Sequence, residues 1–198
     1  MNADYPCDLE SVIATKRLDQ RPSRAANVES ETQALLGMLR EVAEAPKAFF
    51  ERLIQGALEM TQADSCGISL LNEQEGRFVW PAVVGGLSSY LGSGTPADFG
   101  PCGTVLERNA PVLFIHPERH FTYLESISPP LEEVLLAPFH MNEKPVGTIW
   151  AVIHEKDRHF DSEDRRRLEN LSSFAESAYR VLVSTGALDA MLGIKPAE

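Results

Sequence analysis

The clearest candidate for chemistry in this sequence is Cys102, which directly follows Pro101 where a short helix is expected to begin. A helix N-terminus stabilises negative charge, so a thiol placed there ionises more readily and becomes a better nucleophile. The same position also suits a small side chain buried for packing alone. Cys102 is therefore the candidate nucleophile, and the sequence leaves its reactivity open.

The other two cysteines give Cys102 no obvious partner. Cys7 lies near the N-terminus and Cys66 opens a predicted strand, so the three are irregularly spaced and odd in number. This pattern fits neither a disulfide framework nor a zinc site. Redox catalysis requires an attacking thiolate and a resolving thiol close by. The spacing gives no reason to expect such a pair.

The five histidines do not form a metal-binding pattern. His116 and His120 are spaced i and i+4, but Pro117 is expected to make His116 extended and to remove it from any shared helix. His140 and His154 lie on opposite arms of a predicted hairpin and well apart along it. No metal site is predicted.

A small-molecule pocket is better supported. His120 and Tyr123 are three residues apart, so on one helical turn they would share a face. On the last predicted strand, alternation places Thr148 and Trp150 on one face and small aliphatic residues on the other. Ligand cavities combine apolar walls with a few polar groups. The candidate ligand-binding residues are Trp80, Phe99, Cys102, His120, Tyr123 and Trp150.

Composition limits the partners that the chain is expected to have. Its 198 residues carry a net charge of -11, which argues against nucleic acid because phosphate binding needs a basic face. No window approaches the roughly 20 apolar residues that cross a bilayer. The N-terminus lacks the basic start and apolar block of a secretory signal. We expect a cytoplasmic protein that binds neither nucleic acid nor membrane.

Three segments are indicated along the chain. Residues 1–29 contain few clustered apolar side chains and are interpreted as a loosely ordered extension. Residues 30–186 form the domain with its flanking helices, and residues 187–198 form a tail. A second helix is expected to start at Pro46, and a long closing helix is expected between an N-cap at Asp161 and a stop at Gly186.

Three motifs occur in a characteristic order: GTVLERNAPVLF, LLAPFHMNEKPVGTIWAV and HFDSEDRRRLENLSSFA. Together they resemble the GAF family over about Ala45 to Thr185. PAS domains, the nearest structural competitor, usually lack such a closing helix. The resemblance implies an α+β fold with a central antiparallel sheet of five or six strands. Long N- and C-terminal helices would pack on one face, and short helices and loops would form a pocket on the other.

The segment RHFTYL, residues 119–124, is similar to the chromophore-binding segment of phytochrome GAF domains. In those domains a Cys-His pair precedes the Tyr-Leu, and the cysteine anchors a bilin. Here His120 and Tyr123 match, but Arg119 occupies the anchor position. A thioether needs a thiol, so covalent bilin attachment at this position is excluded.

The resemblance implies a regulatory module in signal transduction that binds a small molecule or a protein and is not an enzyme. Apolar stripes on the terminal helices exceed what one sheet face is expected to cover, which predicts a homodimer acting on a signalling partner such as a kinase. Two alternatives remain. One is a redox enzyme resembling free methionine sulfoxide reductases that uses Cys102; the other is a dimerisation domain whose pocket is filled by Trp80, Phe121 and Trp150. The ligand and any cofactor are unknown.

Overall fold

A computed structural model describes residues 7–26, 28–42 and 46–192 of the chain. The helices are α1 (Val28–Val42), α2 (Pro46–Thr61), α3 (Pro101–Arg108), α4 (Ser162–Ser184) and α5 (Ala187–Leu192). The strands are β1 (Ser65–Asn72), β2 (Arg77–Gly85), β3 (Val112–Ile115), β4 (Glu133–Met141) and β5 (Lys144–Ile153). The strands form one antiparallel sheet in the order β2-β1-β5-β4-β3. The expected α+β fold is confirmed.

The sheet separates two apolar cores because side chains alternate along each strand. On β5, Ile149 and Ala151 enter the core beneath α2 and α4. Trp150 and Val152 point to the other side, where α3 and the short connections cover the sheet. This alternation is the one that the sequence predicts, and it places the indole of Trp150 on the face away from the long helices.

The two long helices on the first face start and stop where the residue types indicate. Pro46 opens α2, since a proline fits the first helical turn. Asp161 caps α4 in a reciprocal capping box with Asp164, the two side chains each accepting from the other residue's backbone N–H. Gly186 follows α4 with a positive φ of 69°, as expected for a helix stop.

The N-terminal segment differs from the loose order expected for residues 1–29. Within it, Val12 and Leu18 are fully buried, one in each core. The N–H of Ala14 donates to the Leu113 carbonyl at 2.8 Å, and the N–H of Ile115 donates to the Val12 carbonyl at 2.8 Å. Residues 12–15 thus lie along the outer edge of β3 and satisfy its backbone groups. Residues 1–6 lie outside the described residues.

Two arginines, Arg21 and Arg24, hold the remainder of the N-terminal segment against the domain through ion pairs. The guanidinium of Arg21 donates to both carboxylate oxygens of Glu133, at 2.7 and 2.9 Å, and to the Phe160 carbonyl at 2.6 Å. Arg24 pairs with Asp161 and Asp164 at the start of α4. The segment is held by ion pairs at residues far along the chain, which local sequence patterns do not reveal.

The expected tail over residues 187–198 also differs from the structure where it is described. Residues Ala187–Leu192 form α5, and Leu192 packs into the core beneath the long helices. Residues 193–198 lie outside the described residues. None of the described helices is both long enough and apolar enough to span a membrane.

Candidate ligand cavity

A small apolar cavity lies on the sheet face opposite the long helices. It has a volume of about 50 Å³. The first turn of α3 and a 3₁₀ helix, Thr122–Ser126, lie over strands β2, β4 and β5 to enclose it. The lining residues are Trp80, Leu87, Thr95, Pro101, Cys102, Leu124, Ile127, Leu131, Val134, Leu136, Trp150 and Val152.

Two tryptophans form the rigid part of the wall. The rings of Trp80 and Trp150 lie 5.5 Å apart between centroids and are tilted by 59°. The indole of Trp150 rests directly on the backbone of Gly67, where an added Cβ would come within 2.2 Å of the ring. Its N–H donates to the Ser69 hydroxyl at 3.0 Å. Packing and this hydrogen bond together fix the ring.

Cys102 lies in the wall with an environment that opposes ionisation. Its side chain is buried, and its sulfur contacts the hydroxyls of Ser69 at 3.2 Å and Thr148 at 3.5 Å. Burial raises the pKa of the Cys102 thiol and outweighs those hydroxyl contacts. The position at the start of α3 is the expected one, and of the two possibilities that the sequence leaves open the structure favours a thiol buried by packing.

The other thiols do not complete a redox pair with Cys102. Cys66 is fully buried in the core on the opposite face of the sheet, and burial raises its pKa as well. Cys7 is half-buried, and its backbone N–H donates to the Arg119 carbonyl. All three thiols are free.

Three polar groups around the cavity lack hydrogen-bond partners among the described residues. They are the indole N–H of Trp80 and the hydroxyls of Thr95 and Tyr123, of which the two hydroxyls lie close enough to each other to interact. Trp80 and Thr95 line the cavity and are more than nine-tenths buried. Burial raises the pKa of Tyr123 well above its ordinary value, so its hydroxyl stays protonated at neutral pH. The N–H of Trp80 and the hydroxyl of Thr95 can donate to a molecule placed in the cavity.

Of the six candidate residues from the sequence, Trp80, Cys102 and Trp150 line the cavity. Phe99 and His120 lie in an aromatic cluster beside it, with ring centroids 5.5 Å apart. The ring of Tyr123 joins this cluster at 6.2 Å from Phe99. The structure therefore gathers the six residues in one region but brings only half of them to the cavity wall.

The expected common helical face of His120 and Tyr123 is wrong. The segment forms two separate 3₁₀ helices, Pro117–Arg119 and Thr122–Ser126, with Phe121 between them. His120 turns toward the N-terminal segment, where its Nδ1 lies 2.5 Å from the Cys7 carbonyl. His116 is also not extended, since its φ of 49° and ψ of 58° place it in the left-handed region.

Sequence reasoning missed Thr95 and Ser69. Thr95 lies in the glycine-rich connection after β2, where the sequence indicates only a loop near a ligand. Ser69 could have been found, because alternation along β1 places it on the same face as Gly67. Among the described residues no group of three or more His, Cys, Asp or Glu side chains is arranged to hold a metal ion.

The comparison with family models decides the family. The GAF domain model matches residues 43–179, which is well over half of the chain. The chain belongs to the GAF domain family. GAF domains are in general signalling and ligand-binding modules. A search of curated protein sequences finds no match.

Solved structures show the same fold in domains with different roles. The GAF domain of a phosphoenolpyruvate-protein phosphotransferase from Coxiella burnetii is 19% identical with a TM-score of 0.68, over 82% of this chain and 99% of that one. Free methionine-R-sulfoxide reductase from Neisseria meningitidis is 14% identical with a TM-score of 0.61, over 83% of this chain and 97% of that one. At these identities the likeness extends to the fold alone.

Phytochrome chromophore-binding domains are also similar. That of Stigmatella aurantiaca phytochrome P1 is 18% identical with a TM-score of 0.57, over 79% of this chain and 62% of the phytochrome chain. In the present chain Arg119 ends the 3₁₀ helix Pro117–Arg119 with its side chain exposed. Arg119 has no thiol, so it cannot form the thioether that anchors a bilin.

Proposed function

We propose that this GAF domain is a non-catalytic regulatory module that binds a small neutral molecule in the cavity between Trp80 and Trp150. The observation that carries the proposal is a pair of buried polar groups, the Trp80 N–H and the Thr95 hydroxyl, that line an otherwise apolar space and form no hydrogen bond with the described residues. A buried unpaired donor costs about 1–3 kcal/mol, and an occupant with an acceptor atom recovers part of that. The bound state would act on a signalling partner, such as a cytoplasmic kinase.

The lining argues for a neutral ligand of modest size. None of the described residues that line the cavity has a charged side chain, and an unpaired buried charge is strongly unfavourable. Typical ligand sites measure about 300–1,000 Å³, against about 50 Å³ here. A ligand larger than a few heavy atoms would have to displace Leu124 and Ile127, which lie in and next to the short 3₁₀ helix rather than in the sheet.

The absence of catalysis is proposed from the state of Cys102. A buried thiol with a raised pKa that is bonded to no other cysteine is a poor starting point for the chemistry of sulfoxide reduction. In the native protein we expect a thiol reagent at neutral pH to label the half-buried Cys7 much faster than Cys102. Unfolding in denaturant should remove that difference. Rapid native labelling of Cys102, with methionine sulfoxide turnover lost in Cys102→Ala, would instead favour the enzyme.

A second candidate is an interaction module whose pocket is filled by its own side chains. The small volume favours it, since Trp80 and Trp150 occupy much of the space between the sheet and the short helices. Phe121 is also buried in this layer. In this case no small molecule would bind, and signalling would depend on protein contacts alone.

One experiment separates the two candidates. The chain contains only two tryptophans, and both line the cavity, so intrinsic fluorescence reports directly on its occupancy. We would record native mass spectra of the purified protein and titrate it with acetamide and cyclopentanone, two neutral carbonyl probes of different size. Binding predicts a saturable fluorescence change or a co-purified mass.

The matched variants are Thr95→Val and Thr122→Val. The first removes a buried hydroxyl at the cavity with little change of volume, and should weaken carbonyl binding severalfold. The second changes an exposed threonine nearby and should leave binding unchanged. No bound mass and no saturable response in the wild type would overturn the ligand proposal and favour the filled pocket.

A further inference from the structure

A second concave region lies at the end of the sheet where the N-terminal segment crosses it. This groove has a volume of about 510 Å³, within the range of ligand sites. It shares no lining residue with the cavity under the tryptophans. Its walls come from the N-terminal segment, the end of β3, the start of β4 and the connection between β5 and α4. The lining residues are Arg17, Gln20, Arg21, Ile115, His116, Glu132, Glu133, Lys156 and His159.

The acidic groups of the groove are already engaged. Glu133 is 2% exposed and accepts four hydrogen bonds. Two come from the Arg21 guanidinium, one from His159 Nδ1 at 2.9 Å and one from the Phe160 N–H at 3.0 Å. Glu132 lies 3.4 Å from His116 Nε2 and is mostly buried. The charge of the Glu133 carboxylate is therefore balanced by Arg21, and both of its oxygens already accept hydrogen bonds.

The cationic groups at the rim are not engaged. The side chains of Arg17 and Lys156 form no ion pair or hydrogen bond with the rest of the described chain, and both are exposed. One comes from the N-terminal segment and the other from the connection before α4. With neutral histidines, the lining carries three positive and two negative side chains, in a protein whose net charge is -11. A cationic excess at a concave site attracts anions.

Backbone strain is found at the same place. His116 has a positive φ of 49° although it is not glycine, a backbone conformation that side chains other than glycine rarely adopt. This conformation puts its ring beside Glu132 on the groove wall. Strained residues of this kind occur preferentially at ligand sites.

We propose that this groove binds a small multivalent oxyanion, with the guanidinium of Arg17 and the ammonium of Lys156 as its principal partners. Two unpaired cations that line the same groove favour an anion with more than one charged oxygen, because such an anion can bind a guanidinium fork and an ammonium together. The volume admits a phosphate ester or a tricarboxylate. The bound anion would link the N-terminal segment to the residues that lead into α4.

The test uses the full chain and calorimetric titration with inorganic phosphate, pyrophosphate and citrate at constant ionic strength. The proposal predicts saturable one-to-one binding of at least one of these anions. A response to phosphate or pyrophosphate alone identifies a phosphorylated ligand, whereas a response to citrate alone identifies a polycarboxylate. Arg17→Gln and Lys156→Gln should each weaken binding at least threefold, and the double variant at least tenfold.

The matched control is Lys16→Gln, which removes the same charge from an exposed neighbour outside the groove lining. It should bind the anion within twofold of the wild type. Equal weakening by Lys16→Gln would show general charge attraction and overturn the site. Non-saturable heats for all three anions in the wild type would overturn it as well. Circular dichroism of each variant checks that the fold is intact.

Discussion

At the scale of single residues, Gly67 determines how closely Trp150 approaches the sheet. A Cβ at this position would lie 2.2 Å from Trp150 Cζ2, so Gly67→Ala must displace the ring. Overpacking of this kind costs about 1–3 kcal/mol. We expect Gly67→Ala to lower the free energy of unfolding by that amount in a denaturant titration. The tryptophan emission spectrum should shift in the same variant, because the bond to Ser69 is disturbed.

Gly37 is the matched control for that substitution. It lies within α1, is exposed, and has no atom within 4 Å of an added Cβ. Replacing a helical glycine by alanine adds roughly 0.5–1 kcal/mol of stability. Gly37→Ala should therefore stabilise the protein without changing its emission. If the two variants behaved alike, close contact at Gly67 would not explain the packing of Trp150.

Cys102 shows which properties of a single residue the sequence can predict and which it cannot. The pattern PCG correctly places Cys102 in the first turn of a helix, because proline and glycine have clear local preferences. It does not show that Ser69 and Thr148 lie against the sulfur, since those residues come from strands distant along the chain. The reactivity of the thiol depends on that non-local burial, so the helix position alone could not decide between a reactive and a buried thiol.

At the scale of elements, α1 and α4 are joined by a charged cluster. Arg166 on α4 pairs with Glu163 on the same helix and with Glu31 on α1. Hydrogen bonds from Arg166 lower the pKa of Glu163. Burial would raise the pKa of Glu31, but the hydrogen bonds from Arg166 and Asn170 outweigh it and the net shift is downward. Both carboxylates thus favour their charged form in the folded state.

These shifts predict a pH dependence of stability. A carboxylate whose pKa is lowered by folding stabilises the native state above its ordinary value of 4.5, and that contribution is lost as the pH falls through the lower folded value. Arg166→Gln should therefore destabilise the protein at pH 7, and its free energy of unfolding should fall less between pH 6 and pH 3.

The control for this experiment is Arg180→Gln, which removes an exposed i,i+4 pair with Glu176 on the same helix. Such pairs contribute only about 0.3–0.5 kcal/mol. We expect its pH profile to run parallel to that of the wild type. Parallel profiles for Arg166→Gln and the wild type would contradict the assigned role of the cluster.

The elements that the sequence predicted well are those with strong local signals. Pro46 and Asp161 mark helix starts through their own backbone and side-chain preferences, and β5 shows its two faces by alternation. The N-terminal segment has no such signal. Val12 and Leu18 enter different cores and the Arg21 guanidinium reaches Glu133, so its order comes from contacts distant in sequence.

At the scale of the whole molecule, most of the apolar helix surface that predicted a dimer is buried within the chain itself. The apolar stripe of α2 is covered by the sheet and by α4, and the stripe of α4 is buried along most of its length. The large exposed apolar side chains on described helical residues are Val28 and Leu36 on α1 and Val183 near the end of α4. Any contact through the terminal helices would therefore involve α1 and the end of α4.

We predict a homodimer through this surface. Leu36 is 53% exposed on α1, which packs on α2, and exposed aliphatic side chains on a helix surface commonly mark an interface. Light scattering of the purified chain at tens of micromolar should give twice the monomer mass of 21.9 kDa. Leu36→Glu should raise the dissociation constant at least tenfold, because it would place a charge in the contact from each subunit. Leu91→Glu, at a leucine that is 56% exposed outside the helices, should leave the dimer intact. A monomeric wild type, or equal dissociation by both substitutions, would rule out this interface.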